Sequence, residues 1–506
     1  MNTFLPLSSA KRGLRVLLAF VLIGGGSLGL PVPKAHAQPL APGKVAAVKD
    51  WSESLVNVEI TFKAHDAFQP WNSPSLSVRK HAIVIADGEV LTTAQYLPTH
   101  TLVRLQKGGR GRWYDARVKW WDAQSNLALL TTDAPEFWRG LKPAPLLEKI
   151  PPGPDFNLVR WREGNLESRR VEFSRFIVSE GAVGFAPQMV LEVGTDIGGR
   201  VGWAEIVELN GRIVGLTTYG SSRLCGVMPA TFIKRVLDAH RAGKFTGLGY
   251  FDFTWQPGSN PALITELGLT GPLRGAVVYK TNPKKDDDSL KPNDILLEIG
   301  GFAIDSEGDY LDPDYGHLQL ENLPTRAHFA GEKIPMKVLR GGKELTLDYT
   351  LPLADFADDT MPREVFYAPP AYVVAGGLIF QPLTQTFLRG WGDDWRKNSP
   401  FRLQYYQYAE PPDGRKSLVV LSGVMPDDIN LGYQDAVMLV LDKVNGKAVA
   451  TLADLVVALA EPNEGVHRFE FMKGRGLQRL LLDAATLEAA TKRVVEHYGI
   501  PAAVRL

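Results

Sequence analysis

The chain has one cysteine, Cys225, among 506 residues. That excludes an internal disulfide framework and any thiolate metal cluster. Net charge is also missing, since 56 Lys+Arg stand against 56 Asp+Glu. This balance argues against nucleic acid or an anionic membrane as the main partner. Beyond residue 37 no segment is long and apolar enough to cross a bilayer as a helix, which takes about 20 residues. What is present is ordinary for globular domains: 45% hydrophobic and 22% charged residues exclude wholesale disorder. The length is too great for one core and predicts about two to four domains.

The first 37 residues read as a secretory signal peptide. Lys11, Arg12 and Arg15 precede an uncharged run from Val16 to Leu30, followed by the small-residue exit Ala35-His36-Ala37. The run falls short of a spanning helix and contains Gly24-Gly25-Gly26, which disfavours an uncleaved anchor. Its removal leaves 52 basic against 56 acidic groups. The protein is expected to be exported.

Between residues 45 and 246 short alternating runs, such as Val56 to Ile60 and Ile206 to Leu209, are divided by the turn dipeptides Asp87-Gly88 and Asn210-Gly211. Such a series predicts an all-β barrel or sandwich. A helix at about Ala230 to Ala242 closes it, with Phe232, Val236 and Leu237 on one face and Gly243 as the stop. A second unit, 247–352, ends in a hairpin turned at Gly341-Gly342. An acidic, proline-bearing linker is expected over 353–370. A third unit follows over 371–482, with strands at Ser417 to Leu421 and Met438 to Leu441 and a helix at Leu452 to Ala460. Residues 483–506 form a C-terminal helix and tail, with Leu487, Ala490 and Val494 on one stripe. Cys225 sits in an apolar strand and reads as a buried small hydrophobe. In Trp120-Trp121 one indole is expected in the core and the other at the surface.

Three blocks in the first unit resemble the Do-like (Deg/HtrA) serine proteases. Ile83 to Gln95 is similar to the segment that carries the family's catalytic histidine, Asp122 to Leu130 to its "D-x-x-x-D-L-A-L-L" segment, and Thr195 to Arg200 to "G-N-S-G-G-P". The resemblance implies a mainly β protein: a trypsin-like double β-barrel, then two PDZ domains of α+β type and a short C-terminal helix. It places Gln95 at the histidine, Asn126 at the aspartate and Ile197 at the serine. Thr195, Asp196, Gly198 and Gly199 fall on the oxyanion loop, and Arg200 stands where that loop has proline.

A serine attacks only when an imidazole takes its proton and a carboxylate fixes that imidazole. Gln95, Asn126 and Ile197 offer none of the three groups, so no catalytic residue is expected here. In another triad hydrolase, loss of the triad costs on the order of 10⁶ in turnover. Of the nearby histidines His65, His81 and His100, the last lies five residues beyond Gln95, too far to replace it. The expected protein is a pseudoprotease, with a working endopeptidase of rearranged site as the alternative.

The second unit resembles a PDZ domain, through Leu267-Gly268-Leu269, Ser289 to Leu296 and Leu339 to Leu345. PDZ domains add a peptide as an edge strand and hold its carboxylate on backbone amides. Phe251-Asp252-Phe253 takes the place of that carboxylate loop, with an aspartate where the family has glycine. Capture of a terminal carboxylate is therefore in question, and internal strand addition is not. The third unit resembles a second, divergent PDZ domain of the branch best known from plants, with Gly377-Leu378-Ile379 as its carboxylate loop. The resemblance implies protein or peptide ligands, an active Do-like protease as a possible partner, homo- or hetero-oligomers, and a periplasmic or envelope role in protein quality control. No cofactor, metal or nucleic acid is expected. Lys284 to Asp288 and the Asp309, Asp312 and Asp314 group read as solvated turns.

Overall fold

The alternating runs close into two barrels of six strands each. The first holds β1 (Leu55–Lys63), β2 (Ser75–Ala86), β3 (Glu89–Thr92), β4 (His100–Lys107), β5 (Tyr114–Asp122) and β6 (Leu127–Thr131), in the order β1-β2-β3-β6-β5-β4. Every second residue of β1, namely Val56, Val58 and Ile60, is buried in one core with Ala82, Val84 and Val90. Each such side chain stabilises by roughly 1.5–3 kcal/mol relative to exposure. The second barrel holds β7 (Phe156–Arg162), β8 (Asn165–Glu180), β9 (Pro187–Gly194), β10 (Ile206–Leu209), β11 (Arg212–Gly220) and β12 (Leu224–Pro229). Asn210 and Gly211 both have positive φ, 51° and 76°, which is what a two-residue hairpin between β10 and β11 demands.

The coordinates are a computed structural model, which describes residues 50–181, 183–196, 201–221, 223–281, 290–356, 359, 361–363, 369–392, 394–409, 412–474 and 476–506. Residues 1–37, read above as a signal peptide, and Lys284 to Asp288, read as a turn, lie outside the described residues. The helix Ala230–Arg241 packs Phe232, Ile233, Val236 and Leu237 into a core shared by both barrels. One expectation fails here. Trp121 packs on the interior of the first barrel, but Trp120 is not a surface residue, because it stacks on His240 of the closing helix at 4.3 Å. The helix covers the face that strand alternation alone assigns to solvent.

The second unit is a sheet in the order β13-β14-β15-β19-β20: β13 (Thr254–Pro257), β14 (Ala276–Lys280), β15 (Ile295–Ile299), β19 (Lys333–Arg340) and β20 (Lys343–Thr350). β16 (Phe302–Ala303) pairs with β15, and β17 (Asp309–Asp312) pairs with β18 (Gly316–Gln319). The unit is seated on the second barrel: Arg235 donates to the His328 carbonyl at 2.9 Å, Thr325 Oγ1 donates to Pro187 O at 3.0 Å, and one hydrophobic core runs through both. Asp312 is buried against the Arg326 guanidinium at 2.5 Å, so it is an ion-pair partner and not a solvated turn residue.

The last unit is an eight-stranded sheet built from β21 (Tyr372–Ala375), β22 (Leu378–Pro382), β23 (Val419–Val424), β24 (Leu439–Val444), β25 (Lys447–Ala448), β26 (Val466–Phe471), β27 (Arg479–Asp483) and β28 (Val504–Arg505). Its order is β27-β26-β24-β23-β22-β21-β28, with β25 on β24. The helices Leu452–Leu459 and Leu487–His497 lie close to their expected positions, and the latter buries Leu487, Ala490 and Val494 as its stripe requires. Two boundaries differ from expectation. The tail is part of the sheet, since β28 pairs with β21. The described part of the 353–370 segment is packed as well: Ala354 and Phe356 are buried, and the Phe356 ring lies 4.9 Å from Tyr250. Apolar residues set among acids and prolines anchor what composition alone reads as a linker.

Candidate functional site

A backbone hydrogen bond ties the loop of Gln95 to that of Asn126. Gln95 follows β3, Asn126 precedes β6, and the Ala94 amide donates to the Asn126 carbonyl at 3.2 Å. Asn126 is buried with φ of 53°, a left-handed conformation that asparagine tolerates better than most residues. Its side-chain oxygen and nitrogen both lack a hydrogen-bond partner, as does Gln95 Oε1. Neither residue can take up a proton near neutral pH. Thr195, at the end of β9, is buried and donates its amide to the Arg223 carbonyl at 3.0 Å, while Asp196 is exposed. Ile197, Gly198, Gly199 and Arg200 lie outside the described residues.

The wall between the barrels is firmly tied. Gln124 Oε1 accepts the amides of Phe185 and Ala186 at 2.9 and 3.2 Å, and Gln188 Nε2 donates to the Gln124 carbonyl at 2.7 Å. His81 Nε2 stands 3.1 Å from both the amide and the carbonyl of Trp161, and its Nδ1 is buried without a partner. Burial holds the His81 imidazole down to about 4, with the Arg160 charge acting the same way and the Trp161 hydrogen bond opposing. His81 is therefore neutral at physiological pH. His65 is bound to Ser73 Oγ at 2.8 Å, and His100 to the Leu97 carbonyl at 2.6 Å. None of the three is placed beside Asn126 by a recorded hydrogen bond.

A residue that sequence reading passed over supports the Gln95 loop. Lys80 is fully buried, and its Nζ donates to the Gln95 carbonyl at 2.9 Å, to Thr93 Oγ1 at 3.2 Å and to the Thr93 carbonyl. Burial pushes its amine well below the ordinary lysine range. The available signal was parity: Lys80 shares the inward phase of Ala82 and Val84. Its three acceptors fix the backbone around Gln95. Cys225 is buried as expected, with its thiol pushed far up by burial and then by the Glu205 charge, so it is not a nucleophile. Among the described residues no group of three or more His, Cys, Asp or Glu could hold a metal ion.

The peptide-binding positions have unequal surroundings. In the second unit Phe251 stacks on Phe253 at 5.0 Å. The Asp252 amide donates to Tyr349 Oη at 3.2 Å, and the Asp252 carboxylate accepts the Tyr349 hydroxyl. An amide needed for carboxylate capture is thus already engaged. The β13 edge carries exposed Thr254, Gln256 and Pro257, and its outer side has no paired strand among the described residues. Trp255 Nε1 reaches from β13 to Glu321 at 2.8 Å. In the last unit Gly376 and Gly377, with φ of 55° and 86°, form a hairpin turn. Leu378 and Ile379 lie in β22, which is paired on both sides, and the Gly377 carbonyl accepts the Met425 amide at 2.7 Å. Strand addition beside Gly377-Leu378-Ile379 is therefore blocked by the chain's own β21 and β23.

A family model described as PDZ domain matches residues 361–504. Among curated relatives, Protease Do-like 4, mitochondrial, of Arabidopsis thaliana is 24% identical over 466 residues, 89% of this chain and 84% of that protein. Protease Do-like 2, chloroplastic, of the same plant is 23% identical over 459 residues, 88% of this chain and 74% of that protein. A solved structure, the HtrA-type protease AlgW with decapeptide, has a TM-score of 0.43 and 16% identity, covering 60% of this chain and 96% of that one. The chain is thus similar over most of its length to plant Do-like proteases, and its last unit matches a PDZ domain.

Proposed function

We propose that this chain works in protein quality control as a peptide-binding pseudoprotease, exported to the periplasm or cell envelope. The observation that carries the reading is the chemistry of Gln95 and Asn126, which stand at the histidine and aspartate positions of the resemblance and can neither take up a proton nor orient an imidazole by charge. The open β13 edge supports binding of extended segments. The basic–apolar first 37 residues and the organelle names of the plant relatives support a non-cytoplasmic location. A regulatory pairing with an active relative, or assembly with further copies, fits the same role. The second reading, an active endopeptidase with a rearranged site, is favoured by the names of the relatives, which are called proteases.

Cleavage of β-casein separates the two. The chain is expected to leave casein intact, and a Gln95→His, Asn126→Asp, Ile197→Ser variant to gain turnover. A triad is worth on the order of 10⁶ in turnover, so recovery of even about a thousandth of that stands clear of background. Casein hydrolysis by the unaltered chain that survives repurification and is absent from an Ile197→Arg control would overturn the pseudoprotease reading.

A further inference from the structure

The seam between β4 and β5 closes only part of the first barrel. β4 has eight residues and β5 nine, yet they pair at three positions: Val103 with Ala116, Arg104 with Asp115 and Leu105 with Tyr114. Carried further, that register would set Leu102 against Arg117, Thr101 against Val118 and His100 against Lys119, and the ladder stops short of all three. A cavity of about 590 Å³ opens at the missing pairs, between His100 to Val103 and Ala116 to Trp121. That volume lies within the range of ligand sites, roughly 300–1,000 Å³. Each missing position adds about 3.3 Å of strand, so the opening offers roughly 10 Å of backbone edge.

Both strands are held from the gap by contacts behind them. β5 bulges against β6 between Val118 and Trp120, and the Trp120 ring lies 4.3 Å from His240 of the closing helix and 5.8 Å from Phe245. At the start of β4 the His100 amide donates to the Leu97 carbonyl at 3.1 Å, and its Nδ1 stands 2.6 Å from the same oxygen. Around the gap β4 pairs with β1 and β5 with β6, but not with each other. An unpaired strand edge is a template for an extended segment, and the side chains beside it decide which segment. Arg117 and Lys119 both line the gap and are exposed, and no carboxylate lines it. Arg117 pairs with Asp133 at 3.0 Å through side chains more than half exposed, and Lys119 shares Glu89 with Arg241. Exposed pairs of this kind are weak and leave both cations able to take a further partner. Cations and a bulge on an edge deter apolar and basic strands. Opposite charge turns that deterrent into attraction.

We infer that this gap takes an extended acidic segment of another protein, which pairs along β5 from Arg117 to Lys119 and sets its carboxylates against those two cations. Leu102, 41% exposed on the opposite wall, meets the apolar side chains of the segment. The site goes beyond the peptide-binding reading above, since it lies on the barrel and uses neither the β13 edge nor a terminal carboxylate.

The test uses a fluorescein-labelled octapeptide alternating glutamate with valine, acetylated and amidated so that no terminal charge takes part, titrated by anisotropy into the full chain. It is expected to bind about tenfold more tightly than its lysine–valine counterpart, since one sign attracts the two cations and the other repels them. Copies N-methylated on alternate residues, in both phases, keep every charge but lose half of the strand's donors. The phase whose donors face β5 should bind about tenfold more weakly. Arg117→Gln combined with Lys119→Gln should weaken the glutamate peptide about tenfold while the thermal midpoint stays level, as expected of exposed side chains. Equal binding of the glutamate and lysine peptides, indifference to N-methylation in both phases, or unchanged binding by the double variant overturns the inference. So does self-association in sedimentation that the double variant abolishes, which would name a second copy as the occupant. Uncleaved labelled β-casein, titrated in parallel, reports the peptide-binding reading separately: if it binds while the glutamate peptide shows none of this pattern, that reading stands and the gap alone is sunk.

Discussion

Arg160→Met is expected to destabilise the protein by about 3–5 kcal/mol, the usual consequence of stripping one partner from a buried ion pair. Arg160 is 4% exposed and lies between Glu205 Oε1 at 3.1 Å and Glu167 Oε2 at 2.8 Å. Glu167 keeps a second partner, Arg169, at 2.7 Å. Glu205, 2% exposed, loses its ion pair with Arg160, and its Oε2 already lacks a hydrogen bond. Burial pushes the Glu205 carboxyl up, with the Arg160 charge the main opposing influence. Without Arg160 the carboxyl rises further.

A carboxyl raised above its unfolded value of about 4.5 adds stability when protonated, and that stability is lost as pH climbs through the folded value. The Arg160→Met loss should therefore be largest at neutral and alkaline pH and shrink toward pH 4. Adding Glu205→Gln should recover much of it, because the charge left unpaired is then gone. Urea unfolding of the three chains at pH 7.5 and pH 4.5 gives the measurement. A loss that is independent of pH and unrelieved by Glu205→Gln would locate the damage in packing. The pair also bears on the site, since Glu205 accepts the Gly202 amide and so anchors the chain as it leaves the Thr195 to Arg200 segment.

Local signals made the barrels legible, and long-range pairing set the limit. The Asn210-Gly211 turn, the Val56-Val58-Ile60 face and the Leu487-Ala490-Val494 stripe each follow from a period or a backbone preference within a few residues, and each stands in the structure. Motif resemblance picked out Gln95 and Asn126, and the hydrogen bond from Ala94 to Asn126 ties the two loops together. The pairing of β28 with β21 joins positions more than 130 residues apart, and no periodicity encodes that. The same blindness misplaced Gly377-Leu378-Ile379. A glycine turn before an apolar pair looks alike whether the strand is an edge or an interior one, and only the neighbours β21 and β23 decide. Lys80 was hidden by its chemistry: a lysine in an inward phase is discounted unless its acceptors, here supplied by the Gln95 loop, are known.

The joint between the barrels is expected to be acid-labile, and His81 is the cause. A histidine free in the unfolded chain takes a proton near 6.5, whereas the buried one resists it down to about 4. Below 6.5 the unfolded state binds the proton and the folded state does not, so stability falls with pH until the folded value is reached. The window of roughly 2.5 pH units corresponds to about 3 kcal/mol, at 1.36 kcal/mol per unit. Protonation places a charge between β2 and Trp161, where Arg160 already contributes one of the same sign. His81→Gln keeps a donor and an acceptor for the Trp161 backbone but cannot titrate. Urea midpoints of the unaltered chain should drop steeply between pH 6.5 and pH 4, and those of His81→Gln should drop by about 3 kcal/mol less. Parallel curves would show that the imidazole is free to take its proton in the folded state, and would shift the acid sensitivity to the carboxylates. A steep curve flattened by His81→Gln would assign the acid sensitivity to the His81–Trp161 contact between the barrels.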